Sequence, residues 1–261
     1  LFKGFEEYND LTRFVFDLET TSLEPKDGRI FMIGMKTNKG YHKVIECATP
    51  EMEKDGLIEF FKAIDELKPS IIGGYNSFNF DWFWIFERAK ALGLDIKKIC
   101  RSLNPERTIS QKEQLLKLAN EVERYNQTSI WGYNIIDILH SVRRAQAINS
   151  NIKAAGLKYI TKYLEIEDAD RVYIEHTDIG SMYAKKEEYW LNTQNGKYKK
   201  ADNPQFDNLD TRFPGVYIKT TGDDIVERYL DDDLEETLRV DEEFNQGSFL
   251  LASLVPTTYE R

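Results

Sequence analysis

The sequence predicts an α/β fold in which helices flank a mixed β-sheet. Two observations lead to this class. Near the N-terminus, three β-rich stretches are joined by short turns, which favours an antiparallel meander. Farther along the chain, stretches with helical periodicity alternate with short apolar runs, the order expected when helices cover a sheet.

The three strands of the meander come first. Thr12–Leu18 carries aromatic residues at alternate positions, which is typical of a strand. Ile30–Lys36 and Tyr41–Cys47 follow, separated by an Asn38-Lys39-Gly40 turn. We expect these strands to form one half of the sheet.

Helices and parallel strands are predicted next. Apolar residues between Leu57 and Leu67 recur at helical spacing, and Pro69 follows the end of that helix. Ser70–Tyr75 is a short apolar run typical of a buried strand, and Phe80–Leu92 is a second helix that ends at Gly93.

The second half of the chain is less regular. Residues 95–126 are polar and helix-prone, Ser129–Leu139 is predicted as a strand that leads into a helix over His140–Ala147, and Gly156–Leu164 is a short amphipathic helix. Turn signals in residues 192–222 indicate a hairpin and loops. Asp223–Val240 has an apolar stripe and predicts a long final helix.

Composition excludes several classes of protein. With 45 acidic and 35 basic residues the formal net charge is −10, so nucleic acid has to be held by a local feature or through metal ions. Cys47 and Cys100 lie far apart, which gives neither zinc-ligand spacing nor a disulfide framework. The sequence shows no membrane-spanning run and no signal peptide, so we expect an intracellular, non-membrane protein.

Acidic residues at the end of the first strand give the first functional signal. Asp17 and Glu19 are two positions apart, so both carboxylates point to one face of a strand. Two like charges so close repel each other unless a cation lies between them. Taken alone, this pair is better explained as two solvated acids at a strand end.

Two further elements carry acids in suggestive places. Asp81 opens a predicted helix, where the helix dipole alone would favour an acid. Tyr229 and Asp233 are four residues apart on the final helix and therefore share a face. The same spacing occurs in two less helical places, a β-branched run and a loop: Tyr133/Asp137 and Tyr198/Asp202.

Taken in chain order, these residues resemble a known constellation. Asp17, Glu19, Asp81 and Asp233, with Tyr229, resemble the four acids and the tyrosine of the DEDD-type 3′→5′ exonucleases, tyrosine subclass. Three longer stretches resemble the proofreading domain of family B DNA polymerases, and the resemblance runs from about residue 12 to the end: YNSFNFD (Tyr75–Asp81), GLKYITKYL (Gly156–Leu164) and GDDIVERYLDDDLEETL (Gly222–Leu238).

The resemblance implies a ribonuclease-H-like fold with a family-specific insertion within residues 95–221, and hydrolysis of DNA with two divalent ions, Mg²⁺ or Mn²⁺. It implies that Asp17 bridges the two ions, that Glu19 and Asp233 complete the coordination of one ion, and that Asp81 holds the other ion. Tyr229 would position the attacking water, because a phenol with an ordinary pKa near 10 stays protonated.

The resemblance also suggests how the substrate is held and what lies next to the domain. Thr20, Asn76 and Phe80 would contact the 3′ end of single-stranded DNA, although a core role for Phe80 is nearly as well supported. Residues 1–240 would form the exonuclease domain, and residues 241–261 resemble the connection into a polymerase region. The polymerase acids of the family occur nowhere in the sequence, so we expect a polymerase part of the same or a separate chain as partner and no polymerisation by this chain.

Two other functions stay open from the sequence. A stand-alone DEDD nuclease could act on RNA or on repair intermediates, because no residue is seen that recognises a 2′-hydroxyl. A non-catalytic module of a polymerase assembly is the second alternative, and loss of one or more of the acids would be its signature.

Overall fold

The computed structural model describes residues 5–118 and 121–254 and has the predicted α/β architecture. The strands are β1 (Arg13–Thr20), β2 (Ile30–Thr37), β3 (His42–Glu46), β4 (Ile71–Gly74), β5 (Ile109–Lys117), β6 (Val122–Ile130), β7 (Asn134–Asp137), β8 (Glu188–Asn192), β9 (Tyr198–Lys200) and β10 (Tyr217–Thr221). The α-helices are α1 (Pro50–Leu67), α2 (Asp81–Ala91), α3 (Ile96–Leu103), α4 (Ile138–Ile148), α5 (Leu157–Tyr163), α6 (His176–Lys185), α7 (Leu209–Arg212) and α8 (Gly222–Leu254). Single 3₁₀ turns occupy Tyr8–Asp10 and Pro204–Phe206.

The central sheet has five strands in the order β3-β2-β1-β4-β7. β1 pairs antiparallel with β2, and β2 with β3, which confirms the predicted meander. β4 runs parallel to both β1 and β7, so the sheet is mixed, as the sequence predicts. The carboxyl ends of β1 and β4 therefore meet at one edge of the sheet.

Alternation along β1 separates an apolar face from a functional face. Phe14 and Phe16 point toward α1 and α2, where Phe16 contacts the rings of Phe60 and Trp82 at centroid distances of 5.0 Å each. Val15 points the other way and packs in the cluster that contains leucines of α8. Asp17 is in phase with Val15 and therefore faces α8.

Gly34 allows α8 to approach the sheet closely. This residue lies directly opposite Asp17 in the β1–β2 register. A Cβ atom on Gly34 would lie 2.8 Å from Leu234 and 2.9 Å from Leu230, both on α8, which is closer than packed side chains come. The absence of a side chain at this position thus brings the acids of α8 up to those of β1.

The prediction of a helix-prone stretch over residues 95–126 is wrong for most of its length. Only α3 is helical, and β5 and β6 form a long antiparallel hairpin. Most side chains of this hairpin are exposed or half-buried, and few are fully buried, Ile109, Leu116 and Thr128 among them. A hairpin solvated on both faces lacks the apolar alternation by which strands are recognised in a sequence.

The strand predicted over Ser129–Leu139 is in fact three pieces. β6 ends at Ile130, Gly132 adopts a left-handed φ of 89° in a turn, and β7 then joins β4. The following helix α4 begins at Ile138, two residues before the predicted start. Gly132 is the signal that the prediction passed over, since a positive φ favours glycine.

The C-terminal half confirms the other predictions. The predicted hairpin and loops of residues 192–222 contain β9, α7 and β10, and the two strands pair with β8, which begins earlier, in a three-stranded sheet of order β10-β8-β9. The final helix α8 is longer than predicted and continues through position 240 to Leu254 without a break. Residues 255–261 of the proposed connector lie outside the described residues, and its role stays a prediction. None of the helices in the described part of the chain is long and apolar enough to span a membrane.

Candidate active site

Three carboxylates from two elements converge beside the sheet. Asp17 and Glu19 project from the same face of β1, and Asp233 projects toward them from α8. One oxygen of each lies within 4.8 Å of an oxygen of the other two. Glu19 and Asp233 are buried, and Asp17 is half-buried. The structure therefore brings together three of the four acids that the sequence singled out.

The fourth acid adjoins this cluster. Asp81 occupies the first turn of α2, where the chain leaves β4, and its side chain is fully buried. The Asp17 carboxylate is close enough to Asp81 to interact with it electrostatically. Among the described residues, none hydrogen-bonds the Oδ1 atom of Asp81. A buried acceptor without a donor is costly, so this atom is suited to a cation.

Burial changes the charge state of the cluster. It raises the pKa of Asp17 to about 7, with the neighbouring Asp233 carboxylate adding to the effect. Burial and the nearby Asp17 carboxylate raise the pKa of Glu19 and of Asp81 well above the ordinary range. Crowded buried carboxylates favour the neutral form unless a cation compensates them. This all-oxygen set of donors fits a hard divalent ion such as Mg²⁺ or Mn²⁺.

Tyr229 lies one helical turn before Asp233 on the same face of α8. The ammonium group of Lys158 donates a hydrogen bond to the Tyr229 hydroxyl and lies 4.3 Å from the centre of its ring. Burial and the nearby carboxylates raise the pKa of Tyr229 above its ordinary value. The phenol therefore stays protonated and can donate a hydrogen bond, in line with the role that the resemblance implies.

Arg171, which the sequence analysis missed, is a buried cation behind the cluster of carboxylates. Its guanidinium bonds Asp233 through Nη2 and Glu236 through Nε, the latter at 3.0 Å, and its Nη1 lies 3.5 Å from Asp232. Its side chain is only 2% exposed. Nothing in the sequence around residue 171 marks this role, because the partners come from α8 through the tertiary fold.

Asp137 holds the loop that leads to Asp81. Its carboxylate accepts hydrogen bonds from the backbone N–H groups of Asn76 at 2.9 Å, Phe78 at 3.0 Å and Leu139 at 3.1 Å. The loop needs this support because Asn76 has a left-handed φ of 63°. Asp137 begins α4 as its N-cap, a signal that the sequence contained and that was set aside with the Tyr133/Asp137 pair.

An open cleft of about 300 Å³ gives access to the carboxylates. Asp17, Asp233 and Tyr229 are among the residues that line it, together with Lys158 and the exposed His176. A cleft of this size accommodates a nucleotide-sized group.

The three residues predicted to bind substrate are not among those that line the cleft. Thr20 is half-buried and its hydroxyl donates a hydrogen bond to the carbonyl of Ser22 at 2.8 Å. Phe80 is the N-cap of α2 and packs against the main apolar cluster and Trp84. Asn76 forms the strained turn described above. Contacts of these residues with substrate stay predictions.

Comparisons with known proteins agree with this geometry. The family model described as "DNA polymerase family B, exonuclease domain" matches residues 2–160. A DNA polymerase 2 of Aeropyrum pernix is 26% identical over 180 residues, which cover 67% of this chain and 19% of that protein. The family B DNA polymerase of the hyperthermophilic archaeon Pyrobaculum calidifontis superposes over 96% of this chain and 26% of its own, with a TM-score of 0.63 and 21% identity, and so shares the fold.

The chain thus spans about a fifth to a quarter of the length of these two polymerases. The family model covers more than half of the chain and includes the segments that carry Asp17, Glu19 and Asp81. The chain belongs to the exonuclease-domain family of the family B DNA polymerases.

Proposed function

We propose that this chain is a 3′→5′ exonuclease that removes nucleotides from the 3′ end of single-stranded DNA and serves as the proofreading part of a family B DNA polymerase. The observation that carries the proposal is the convergence of Asp17, Glu19 and Asp233 within 4.8 Å, with the buried Asp81 in electrostatic contact with Asp17. The buried position of these acids also disfavours the non-catalytic alternative, because uncompensated acids are costly and a purely structural module has no use for them.

The reaction is hydrolysis of the last phosphodiester bond. Water attacks the phosphorus, the bond from phosphorus to the 3′ oxygen breaks, and the products are a shortened strand with a 3′-hydroxyl and a nucleoside 5′-monophosphate. Two divalent ions held by the four carboxylates would stabilise charge on the attacking and leaving oxygens of this in-line displacement. When the ions are bound, Asp17 would be a ligand of both, Glu19 and Asp233 would hold one of them, and Asp81 would hold the other.

The remaining polar groups of the cleft act on water and phosphate. Tyr229 keeps its proton and orients the attacking water by a hydrogen bond. Lys158 fixes the Tyr229 hydroxyl and places positive charge in the cleft, where it attracts a phosphate. Arg171 holds the Asp233 carboxylate in one orientation, as an outer partner of a metal ligand commonly does.

The test is shortening of a 5′-labelled single-stranded DNA oligomer in Mg²⁺. The wild type should shorten it stepwise from the 3′ end, EDTA should stop the reaction, and Asp17→Ala and Asp233→Ala should nearly abolish it. Tyr229→Phe should slow the reaction while calorimetry shows that Mn²⁺ still binds. Asp231→Ala is the matched control, because Asp231 lies on the same helix and pairs with Lys36 at the surface.

Two outcomes would change the conclusion. Full activity in Asp233→Ala would overturn the assignment of the site. No shortening by the folded wild type, together with no Mn²⁺ binding, would favour a non-catalytic module. Single-stranded RNA in the same assay addresses the alternative substrate. A polymerase partner and an intracellular location stay predictions.

A further inference from the structure

Tyrosines and lysines alternate along a surface that leads out of the cleft. On α5, Lys158 and Lys162 lie one turn apart, and Tyr159 and Tyr163 lie one turn apart beside them. The rings of the two tyrosines are nearly parallel, at 11° and a centroid distance of 6.4 Å. Tyr173 lies next to this helix. We call these five residues the tyrosine–lysine strip.

Contacts between cations and rings make the strip continuous with the candidate active site. Lys158 lies over the ring of Tyr229 at 4.3 Å and over that of Tyr173 at 5.8 Å. The ammonium group of Lys162 lies 4.5 Å from the centre of the Tyr173 ring. Lys158 and Tyr159 line the cleft together with Asp233. The strip therefore begins at the carboxylates and ends at the surface.

The outer part of the strip is accessible. Tyr163 and Tyr173 are each 39% exposed, and the side chain of Lys162 is 57% exposed. The acidic group that faces it is Glu167, which accepts a hydrogen bond from Tyr173 and lies 3.8 Å from Lys162. Lys153 is also exposed, and its backbone N–H donates to the hydroxyl of Tyr159 at the end of the strip that lines the cleft.

We propose that the tyrosine–lysine strip binds the single strand of DNA behind the 3′ nucleotide that enters the cleft. The occupant follows from the chemistry, because a single strand offers unpaired bases that stack on aromatic rings and phosphates that pair with lysines. The bases stack on Tyr163 and Tyr173, and Lys162 contacts a phosphate. The orientation of the strand, with its 3′ end in the cleft, rests on the proposed function, in which the cleft is where the 3′ nucleotide is removed.

Binding is measured apart from cleavage. The probe is a fluorescein-labelled oligothymidylate of a dozen nucleotides, titrated with protein in EDTA and followed by fluorescence anisotropy. Tyr163→Ala and Tyr173→Ala should each raise the Kd roughly 5- to 100-fold, the range found for loss of one stacked base. Lys162→Ala should weaken binding and reduce the slope of log Kd against log salt by about 0.7, as expected for one lost phosphate contact.

Two variants serve as matched controls because their side chains are exposed in other parts of the molecule. Phe213→Ala removes an aromatic ring that is 47% exposed, and Lys97→Ala removes an exposed lysine of α3. Both should bind the oligomer as the wild type does. A blunt duplex of the same length is the second probe, and Tyr163→Ala should affect its binding little because its bases are already stacked.

The outcomes separate the strip from the proposed function. If the wild type fails to shorten DNA in Mg²⁺ but the tyrosine variants lose oligomer binding, the exonuclease proposal fails and the strip stands. If the wild type shortens DNA and the strip variants bind the oligomer with unchanged Kd and salt slope, the strip proposal is overturned. Equal losses of affinity for single strand and duplex would also overturn it, because stacking would then not be the cause.

Discussion

Replacing the buried cation behind the carboxylates gives the most direct test of how the site is held. Arg171→Met removes the guanidinium and keeps a long apolar side chain of similar reach, so that packing is largely retained. The change takes away the hydrogen bonds to Asp233 and Glu236 and the closest positive charge of Asp232. Asp233 and Glu236 stay buried, with 9% and 3% of their surfaces exposed.

The expected loss of stability follows from this burial. Removing one partner of a buried ion pair leaves an uncompensated charge and costs about 3–5 kcal/mol. Asp232 adds little, because 18% of its side chain is exposed and water can solvate it. For a chain of this size such a loss lowers the Tm by roughly 6–20 °C.

Urea unfolding followed by circular dichroism measures the free energy of unfolding, and Arg239→Met is the matched control. Arg239 also pairs with two carboxylates, Asp168 at 2.9 Å and Glu235 at 3.1 Å, but 35% of its side chain is exposed. Exposed ion pairs contribute about 0–1 kcal/mol. Each arginine thus bonds two carboxylates, and the two arginines differ in how far their side chains are buried.

The pH dependence sharpens the test. Burial raises the pKa of Glu236 to about 7, although Arg171 lowers it. Because the native state then binds more protons than the unfolded chain above about pH 4.5, the free energy of unfolding falls as pH rises through this window. Without Arg171 the native pKa rises further, so the deficit of the variant should be larger at about pH 8 than at about pH 5. Equal losses in the two arginine variants, or a deficit independent of pH, would refute the reasoning.

Three further predictions concern the supports of the site. Asp137→Asn replaces one of the two acceptor oxygens by an NH2 group, so that one backbone N–H of the loop before Asp81 loses its acceptor. We expect a loss of about 1–3 kcal/mol in urea unfolding and slower hydrolysis in the oligomer assay. An unchanged urea midpoint would contradict this. Burial lowers the pKa of His140 to about 4, so between about pH 4 and 6.5 the unfolded chain binds more protons than the native state. The free energy of unfolding of the wild type should therefore fall by up to about 3 kcal/mol as the pH falls through this window. His140→Gln should remove that part of the pH dependence, and parallel stability curves for the two proteins would argue against it. Gly34→Ala places a Cβ atom on β2 that lies 2.8 Å from a leucine of α8, so overpacking should cost about 1–3 kcal/mol of unfolding free energy. The control is Gly247→Ala on α8, which has open space around it and should be neutral or stabilising in the same unfolding experiment.

Local patterns in the sequence were sufficient for much of the fold and for the acids themselves. Alternation along β1 predicted that Asp17 and Glu19 share a face, and helical spacing predicted that Tyr229 and Asp233 do so on α8. Both relations depend only on the geometry of a single element, which is why the sequence contains them. That the two elements lie face to face was an implication of the resemblance, and the structure supplies its physical basis in the close approach over Gly34.

The features that the sequence analysis missed depend on distant contacts or on solvated surfaces. Arg171 and Lys158 meet the acids of α8 through the tertiary fold, and no spacing of residues along the chain announces such a meeting. The hairpin of β5 and β6 packs few side chains into the core, so its strands have no apolar alternation to detect. Asp137 is an intermediate case, because a helix N-cap is a local signal whereas its bonds to Asn76 and Phe78 are not.

The charges of the site bear on the proposal that this acidic chain binds DNA, which is a polyanion. Without a cation, the raised pKa values of Asp17, Glu19 and Asp81 mean that protons neutralise part of the cluster near neutral pH. A divalent ion that binds there has to release these protons, so its affinity should increase with pH. Lys158 and Arg171 lie beside the same carboxylates and leave the cleft less negative than the sum of its acids. In the proposals made above, phosphate is attracted by the cleft and the tyrosine–lysine strip, because the net charge of −10 provides no general attraction for nucleic acid.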